Sequence, residues 1–485
     1  MSIDSRFAAG LRWMAAARFG GQLISWVGTI YVMRLLAPQD YGLAAICSSV
    51  LSIVIMASES GIAAGIVQAE RLERDQLRSV FGASLLFAFA GAVLIVALAP
   101  IFAAFFHAPE AAPLMQVSAL HLILAPMGAM TDAQLRRELR FRTSALLDIA
   151  VVVPTTASTL LFALADYGVW ALILGPLIGT VVRVVLLNCI APVRFWPSFD
   201  LRPARGLIGF GFKVALSRIA SYVFGQSDVL IAGRILSKSA LGEYSVAMNL
   251  AMLPVSKAMT VLNQVTYPVI AQLNREGVPM QQHLLQGLRL IAYVIIPLLW
   301  GLAAVAPWLI PALLGPAWVG SVLPLQIVAL ALPLRLLSVL LSSAIQGMGH
   351  AGLDLQNAVT GIVLMPCCFL FGAQFGAVGL ATSWLIGLPI LVLLNMLRSR
   401  QVLGFGPLAA LRALSRPLAF SAVMAGMAQL IGYGLATRLS VWPVIAITIV
   451  SAALGYLTLL CLLDPSGTRK LLSVLRTAVP TKEFP

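Results

Sequence analysis

Basic side chains interrupt the apolar stretches of this 485-residue sequence at depths where charge is costly. The most informative of them recur two hundred positions later, in segments 18–42 and 218–242. Four identities align without a gap: Arg18 with Arg218, Arg34 with Arg234, Leu36 with Leu236 and Gly42 with Gly242. Repeated halves with matched unusual segments are typical of secondary transporters.

The chemistry of these cations favours an anionic cargo. Arg18 lies about 12 Å inside the predicted cytoplasmic end of its span, at the helical rise of 1.5 Å per residue, and Arg218 is similar. Both therefore favour a water-filled cavity, where guanidinium forks suit phosphate oxygens. The residues predicted to form this cationic cavity are Arg18, Arg218, Lys213, Lys257, Arg34 and Arg234. The alternative for Arg34, Arg234 and the intramembrane Arg183 is snorkelling to the headgroups or pairing with an acid.

Two acidic residues stand out in the predicted spans. Asp148 lies early in the fifth span, and Asp228 is the one acid of the seventh. Each is either a salt-bridge partner or part of a site that couples transport to a proton or sodium gradient. The sequence contains no catalytic triad, phosphate-binding loop or metal-ligand spacing, so neither a catalytic residue nor a bound cofactor is predicted.

Composition places the chain in the membrane. It is 60% hydrophobic and 10% charged, whereas soluble domains carry about 25% charged residues. The net charge of +14 would suggest nucleic acid in a soluble protein. However, 22 of the 32 Lys and Arg residues fall in even-numbered connections and the termini, and four fall in odd-numbered ones. This asymmetry predicts a multi-pass protein with both termini cytoplasmic and no nucleic-acid partner.

The predicted fold is all-α, with about fourteen transmembrane helices. In chain order, these predicted spans cover about 10–35, 41–66, 79–105, 112–130, 144–165, 168–190, 207–236, 241–270, 285–310, 319–345, 353–374, 377–397, 417–436 and 440–462. They form two pseudosymmetric six-helix lobes followed by two C-terminal helices. The predicted divisions are an N-terminal lobe (1–190), a cytoplasmic linker (191–206), a C-terminal lobe (207–400) and a final pair of helices with a basic tail (401–485).

Several short motifs resemble those of Wzx-type flippases. These flippases are the polysaccharide transporter family of the multidrug/oligosaccharidyl-lipid/polysaccharide exporter superfamily, and the likeness is strongest to its colanic-acid and xanthan exporter subgroup. The motifs occur over residues 10–400: Gly61–Gln68, Leu135–Arg142, Gly168–Leu172, Gly209–Phe212, the run from Asp228 through Gly233-Arg234 to Leu241-Gly242-Glu243-Tyr244, and Leu314–Trp318. The resemblance implies fourteen helices around a cationic cavity.

The resemblance also implies a function. The cargo would be an undecaprenyl-pyrophosphate-linked oligosaccharide, moved from the cytoplasmic to the periplasmic face of the bacterial inner membrane for exopolysaccharide or O-antigen (lipopolysaccharide) synthesis. Arg18 and Arg218 would converge on the pyrophosphate. The implied partners are the lipid-linked oligosaccharide, the membrane, and polysaccharide polymerase or chain-length and export machinery.

Two alternatives remain open at this point. A drug exporter of the same superfamily would need acidic groups for cationic drugs, whereas the predicted cavity is basic. A membrane polysaccharide polymerase, ligase or glycosyltransferase would place catalytic residues in a sizeable outer loop, and the predicted outer loops are short. The chain is therefore predicted to be a transporter and not an enzyme.

Overall fold

A computed structural model describes residues 20–68, 74–137, 140–190, 196–206, 208, 209, 222, 223, 225–276, 280–465, 467 and 469. The described residues fall into two compact units, one ending at Gly242 and the other beginning at Glu243. The four-part division predicted from the sequence stays a prediction.

The first unit is built from helices. They are α1 (20–35), α2 (Pro38–Gln68), α3 (Arg74–Phe105), α4 (Ala111–Ser118), α5 (Leu120–Arg137), α6 (Phe141–Leu164), α7 (Trp170–Ile190), α8 (Ser227–Ile235) and the start of α9 (Lys238–Arg275). Short connections join the helices from α1 to α7. A 3₁₀ turn, Arg202–Ala204, lies in the described part of the linker and packs against α3.

The second unit contains the rest of α9 and six further helices. These are α10 (Met280–Leu314), α11 (Val322–Gly347), α12 (Ala351–Gly372), α13 (Gly376–Leu403), α14 (Pro407–Ala436) and α15 (Val441–Leu463). The most extensive packing joins α10 to α14, α11 to α13, α10 to α11 and α12 to α13. The final pair, α14 and α15, is therefore attached to this unit through α10.

The all-α membrane fold predicted from composition is confirmed. Ten stretches of the described residues are long and apolar enough to cross a membrane, and one of them, Ala351–Leu403, contains both α12 and α13. Large apolar side chains point outward, such as Leu462, which is 72% exposed. Such surfaces suit lipid and not water. The number fourteen stays a prediction, since residues 1–19 and most of 207–224 lie outside the described set.

The sequence repeat has a structural counterpart where α2 and α9 begin. Each helix start is capped locally: Asp40 accepts a hydrogen bond from the Ala37 amide (3.0 Å), and Ser237 accepts one from the Ala240 amide (3.2 Å). One turn later the two helices meet at the aligned glycines Gly42 and Gly242.

The contact between these glycines is reciprocal. A β-carbon on Gly42 would lie 1.9 Å from the Lys238 carbonyl oxygen, and one on Gly242 would lie 1.8 Å from the Pro38 carbonyl oxygen. Each glycine thus faces the carbonyl four residues before its counterpart. Such reciprocity is the signature of a local two-fold relationship, and only glycine allows so close an approach.

Connections of the same parity lie together in the first unit. Counted between the predicted spans, the third and seventh connections meet where Lys238 contacts Glu110. Among the even-numbered ones, the Ser198 amide donates to the Arg78 carbonyl (2.9 Å), and Arg78 Nε donates to the Trp196 carbonyl (3.2 Å). This grouping is what alternate crossings of a membrane produce. The cytoplasmic placement of the termini stays a prediction.

Candidate functional site

Most of the predicted cationic cavity lies beyond the described structure. Arg18, Lys213 and Arg218 are outside the described residues. Lys257 belongs to α9, and its side chain is likewise outside the described set. Convergence of these cations on one anionic group therefore stays a prediction.

The other two predicted cavity cations lie at helix ends. Arg34 is exposed in the last turn of α1, and Arg234 is exposed in the last turn of α8. The Arg234 guanidinium contacts the His107 ring and lies 5.4 Å from the centre of the Phe105 ring. Arg234 thus has neighbours at the end of α3 and in the turn that follows it. A role in cargo binding stays a prediction for both arginines.

Asp148 belongs to an ionic cluster made by three helices of the first unit. Arg183 of α7 donates from Nη1 to Asp148 of α6 (2.8 Å) and from Nη2 to Asp132 of α5 (3.2 Å). Two carboxylates share one guanidinium, so the cluster carries a formal charge of −1. Its side chains are partly open, with 35% of Arg183 and 48% of Asp148 exposed. Asp148 is thus a salt-bridge partner, while ion coupling stays a prediction.

Asp132 is a member of this cluster that the sequence did not reveal. The fourth span was expected to end near residue 130, so this carboxylate was assigned to the basic loop that follows. In the structure α5 continues to Arg137, and Asp132 is only 19% exposed. The signal that could have found it is its position one helical turn before Arg136, on the same helix as the preceding apolar residues.

A second polar contact joins the same two helices, α5 and α7. His121 Nδ1 lies 3.0 Å from Thr180 Oγ1. Thr180 Oγ1 donates its own proton to the Pro176 carbonyl (3.1 Å), so it accepts from the histidine. This pair lies one helical turn from Arg183 on α7, and it extends the polar strip of the first unit.

Asp228 has a local structural role. It is only 3% exposed and lies in the first turn of α8. Its Oδ1 accepts a hydrogen bond from the Val229 amide (2.8 Å). A carboxylate in a first turn is stabilised by the helix dipole. Participation of Asp228 in ion coupling stays a prediction.

The second unit contains a buried carboxylate that sequence analysis did not identify. Asp464 follows the last residue of α15, and none of its side chain is exposed. It contacts Arg289 and the Tyr293 hydroxyl of α10, and its other oxygen lies 3.1 Å from Arg416 of α14. One acid thus joins α10, α14 and α15. In the sequence, Asp464 lies between two leucines and Pro465, a pattern typical of the end of a membrane span.

Arg335, in the middle of α11, rests on an aromatic support. Its guanidinium lies 5.3 Å from the centre of the Trp384 ring of α13 and 3.9 Å from the Met252 sulfur of α9. The indole is held in place because Trp384 Nε1 donates to the buried Tyr244 hydroxyl (2.8 Å). The second unit therefore places a cation about 20 Å from the first residue of α11, at 1.5 Å per residue.

Comparison with known proteins agrees with this architecture. The succinoglycan biosynthesis transport protein ExoT of Rhizobium meliloti is 24% identical over 96% of this chain and 95% of its own length. The lipopolysaccharide biosynthesis protein WzxC of Escherichia coli is 22% identical over 80% and 79%. Among solved structures, lipid II flippase MurJ in an inward closed conformation superposes with a TM-score of 0.73 at 14% identity, covering 92% of this chain and 97% of MurJ.

These findings confirm the resemblance and the prediction of a transporter rather than an enzyme. The likeness to MurJ shows a shared fold. The polysaccharide biosynthesis protein family matches residues 31–323, which is more than half of the chain. The chain therefore belongs to the polysaccharide biosynthesis protein family, as a multi-pass membrane member of it.

Proposed function

We propose that the protein flips an undecaprenyl-pyrophosphate-linked oligosaccharide from the cytoplasmic to the periplasmic face of the bacterial inner membrane. The observation that carries this proposal is that the family match and the fold point to the same kind of protein. The chain matches a polysaccharide biosynthesis family, and it shares the fold of a lipid II flippase over 92% of its length. A polysaccharide pathway and the fold of a lipid-linked sugar flippase together favour a lipid-linked oligosaccharide as cargo.

The charge of the chain supports the same cargo. Arg18, Arg218, Lys213 and Lys257 are proposed to attract and hold the pyrophosphate from the two halves of the repeat. A pyrophosphate offers enough oxygens to accept two guanidinium forks. Arg335 shows that the described second unit also keeps a cation deep within its helices. Cationic drugs would be disfavoured by such groups.

A proteoliposome assay tests the proposal. Purified protein is reconstituted with a fluorescent undecaprenyl-pyrophosphate oligosaccharide, or with a cationic dye, and access of a membrane-impermeant quencher is followed. We expect flipping of the lipid-linked sugar and not of the dye. Alanine at Arg18 or Arg218 should slow flipping on the order of tenfold, since each removes a charge-assisted contact. Transport of the dye alone would reverse the assignment of cargo.

Coupling to an ion gradient is proposed to use the cluster of Asp132, Asp148 and Arg183. Because two carboxylates share one guanidinium, a proton or sodium ion binding at Asp148 would neutralise the excess charge and loosen its hold on Arg183. Binding at one membrane face and release at the other would then bias the transport cycle. The exposed part of Asp148 gives a small cation access to the cluster.

Asparagine at Asp148 is expected to leave flipping down a cargo gradient intact and to abolish its acceleration by an imposed proton or sodium gradient. The measurement compares initial flipping rates with and without each gradient. Asp200→Asn, in the exposed linker, is the matched control and should behave as wild type. Full gradient dependence in both Asp148→Asn and Asp132→Asn would remove the cluster from the mechanism.

A further inference from the structure

Two segments of the first unit meet on the predicted periplasmic side, where the odd-numbered connections lie. One is the turn after α3, residues 105–110, and the other is residues 234–242 around the junction of α8 and α9. Lys238 Nζ lies 2.6 Å from Glu110 Oε2. Four residues earlier, Arg234 contacts the His107 ring. Both cations of the second segment therefore engage side chains of the first.

The backbone in both segments is arranged for these contacts. Glu110 immediately precedes α4, and Lys238 is the first residue of α9. His107 adopts a left-handed conformation with φ of 50°, which ends α3 and turns the chain toward Glu110. Beside them, Gly233 of α8 packs against the Phe106 ring, where a β-carbon would lie 3.0 Å from the nearest ring atom.

The ion pair is charged at neutral pH and open to water. The hydrogen bond from Lys238 lowers the pKa of Glu110, so the carboxylate remains ionised. More than half of the Glu110 side chain is exposed. Exposed pairs contribute little to stability, typically below about 1 kcal/mol. A contact of this kind suits an element that must separate and re-form in every cycle.

A buried thiol lies beside the first of these two segments. Cys47 of α2 is 1% exposed, and its sulfur lies 3.8 Å from the carbonyl oxygen of Ala111, the residue after Glu110. It is also little more than one helical turn from Gly42, where α2 crosses α9. We therefore expect separation of the two segments to raise the accessibility of this thiol.

We propose that Glu110 and Lys238, together with His107 and Arg234, form a latch that holds the predicted periplasmic side closed and must part during transport. The latch supplies residues that position the helices between states, and they are distinct from the cargo-binding cations Arg18 and Arg218. The inference rests on the proposed function, because it assumes a cycle in which the periplasmic side opens.

Labelling of Cys47 tests the latch without measuring transport. The other four cysteines, Cys189, Cys367, Cys368 and Cys461, are replaced by serine, and spheroplasts are treated with a membrane-impermeant maleimide. Glu110→Lys should raise the labelling rate about two- to fivefold, the factor expected from an exposed pair. The charge-swapped variant Glu110→Lys/Lys238→Glu should return the rate to that of the parent. Equal rates in all three proteins would overturn the latch.

Cross-linking of the two segments provides a second test of the latch. Cysteines at positions 110 and 238, in a protein whose five native cysteines are replaced, are joined by a short reducible bis-maleimide. Flipping should stop in the cross-linked protein and return after reduction. Undiminished flipping by the cross-linked protein would overturn the latch but leave the proposed function standing. If the untreated parent protein does not flip lipid-linked sugar, that result counts against the proposed function. The Cys47 labelling rates would still show whether the latch exists.

Discussion

Alanine at Asp464 is expected to lower the free energy of unfolding by about 3 kcal/mol, the lower end of the cost of breaking a buried ion pair. The side chain is fully buried and holds Arg289, Tyr293 and Arg416. Its loss removes the carboxylate that pairs with both the Arg289 and the Arg416 guanidinium. The lower end of the range applies because 54% of Arg416 is exposed and can turn toward water. Thermal unfolding in detergent, followed by size-exclusion chromatography, measures the loss.

Two matched variants separate the charge of Asp464 from its shape. Asp464→Asn keeps the shape and removes the charge, and should account for most of the loss. Arg412→Gln, on the exposed side of α14 one turn before Arg416, should leave the melting temperature unchanged. The acid also follows the C-terminus of α15, where a carboxylate is unfavourable by itself. A wild-type melting temperature for Asp464→Ala would show that the arginines do not depend on it.

The membrane fold was readable from the sequence because its signals are local. Long apolar runs predict spans, and the charge asymmetry of the loops predicts their alternation. The aligned pair Gly42 and Gly242 was visible as an identity in a weak repeat. The repeat did not show that the two glycines lie in contact, because a sequence repeat indicates which positions correspond and not which positions are close in space.

The ionic clusters were harder to predict because each depends on partners far apart in the chain. Arg183 was recognised as an intramembrane cation, but its pairing with both Asp132 and Asp148 requires the packing of three helices. Asp464 and Arg289 are separated by 175 positions. A carboxylate beside a span end looks solvated in sequence, and only tertiary structure shows that none of the Asp464 side chain is exposed.

Alanine at Gly42 or Gly242 is expected to have the largest effect on transport. The added β-carbon would lie 1.9 or 1.8 Å from a backbone carbonyl oxygen of the other helix, whereas a C–H···O contact needs about 3.3 Å. A carbonyl in a helix cannot rotate away, so α2 and α9 must separate where they cross. Overpacking of this kind costs about 1–3 kcal/mol. If that cost falls on the closed state alone, and each cycle must pass through that state, flipping should slow about 5- to 160-fold.

Because the contact between the two glycines is reciprocal, the effects of the two substitutions should not add. Because both methyl groups are relieved by the same separation of α2 and α9, the double variant Gly42→Ala/Gly242→Ala should be little worse than either single variant. Gly434→Ala is the matched control, since a β-carbon there meets no atom within 4 Å and alanine favours the helix. Cys47 labelling should rise in all three crossing variants and stay at the parent rate in the control. Fully additive losses of transport would mean that the glycines act at separate places, contrary to the reciprocal crossing.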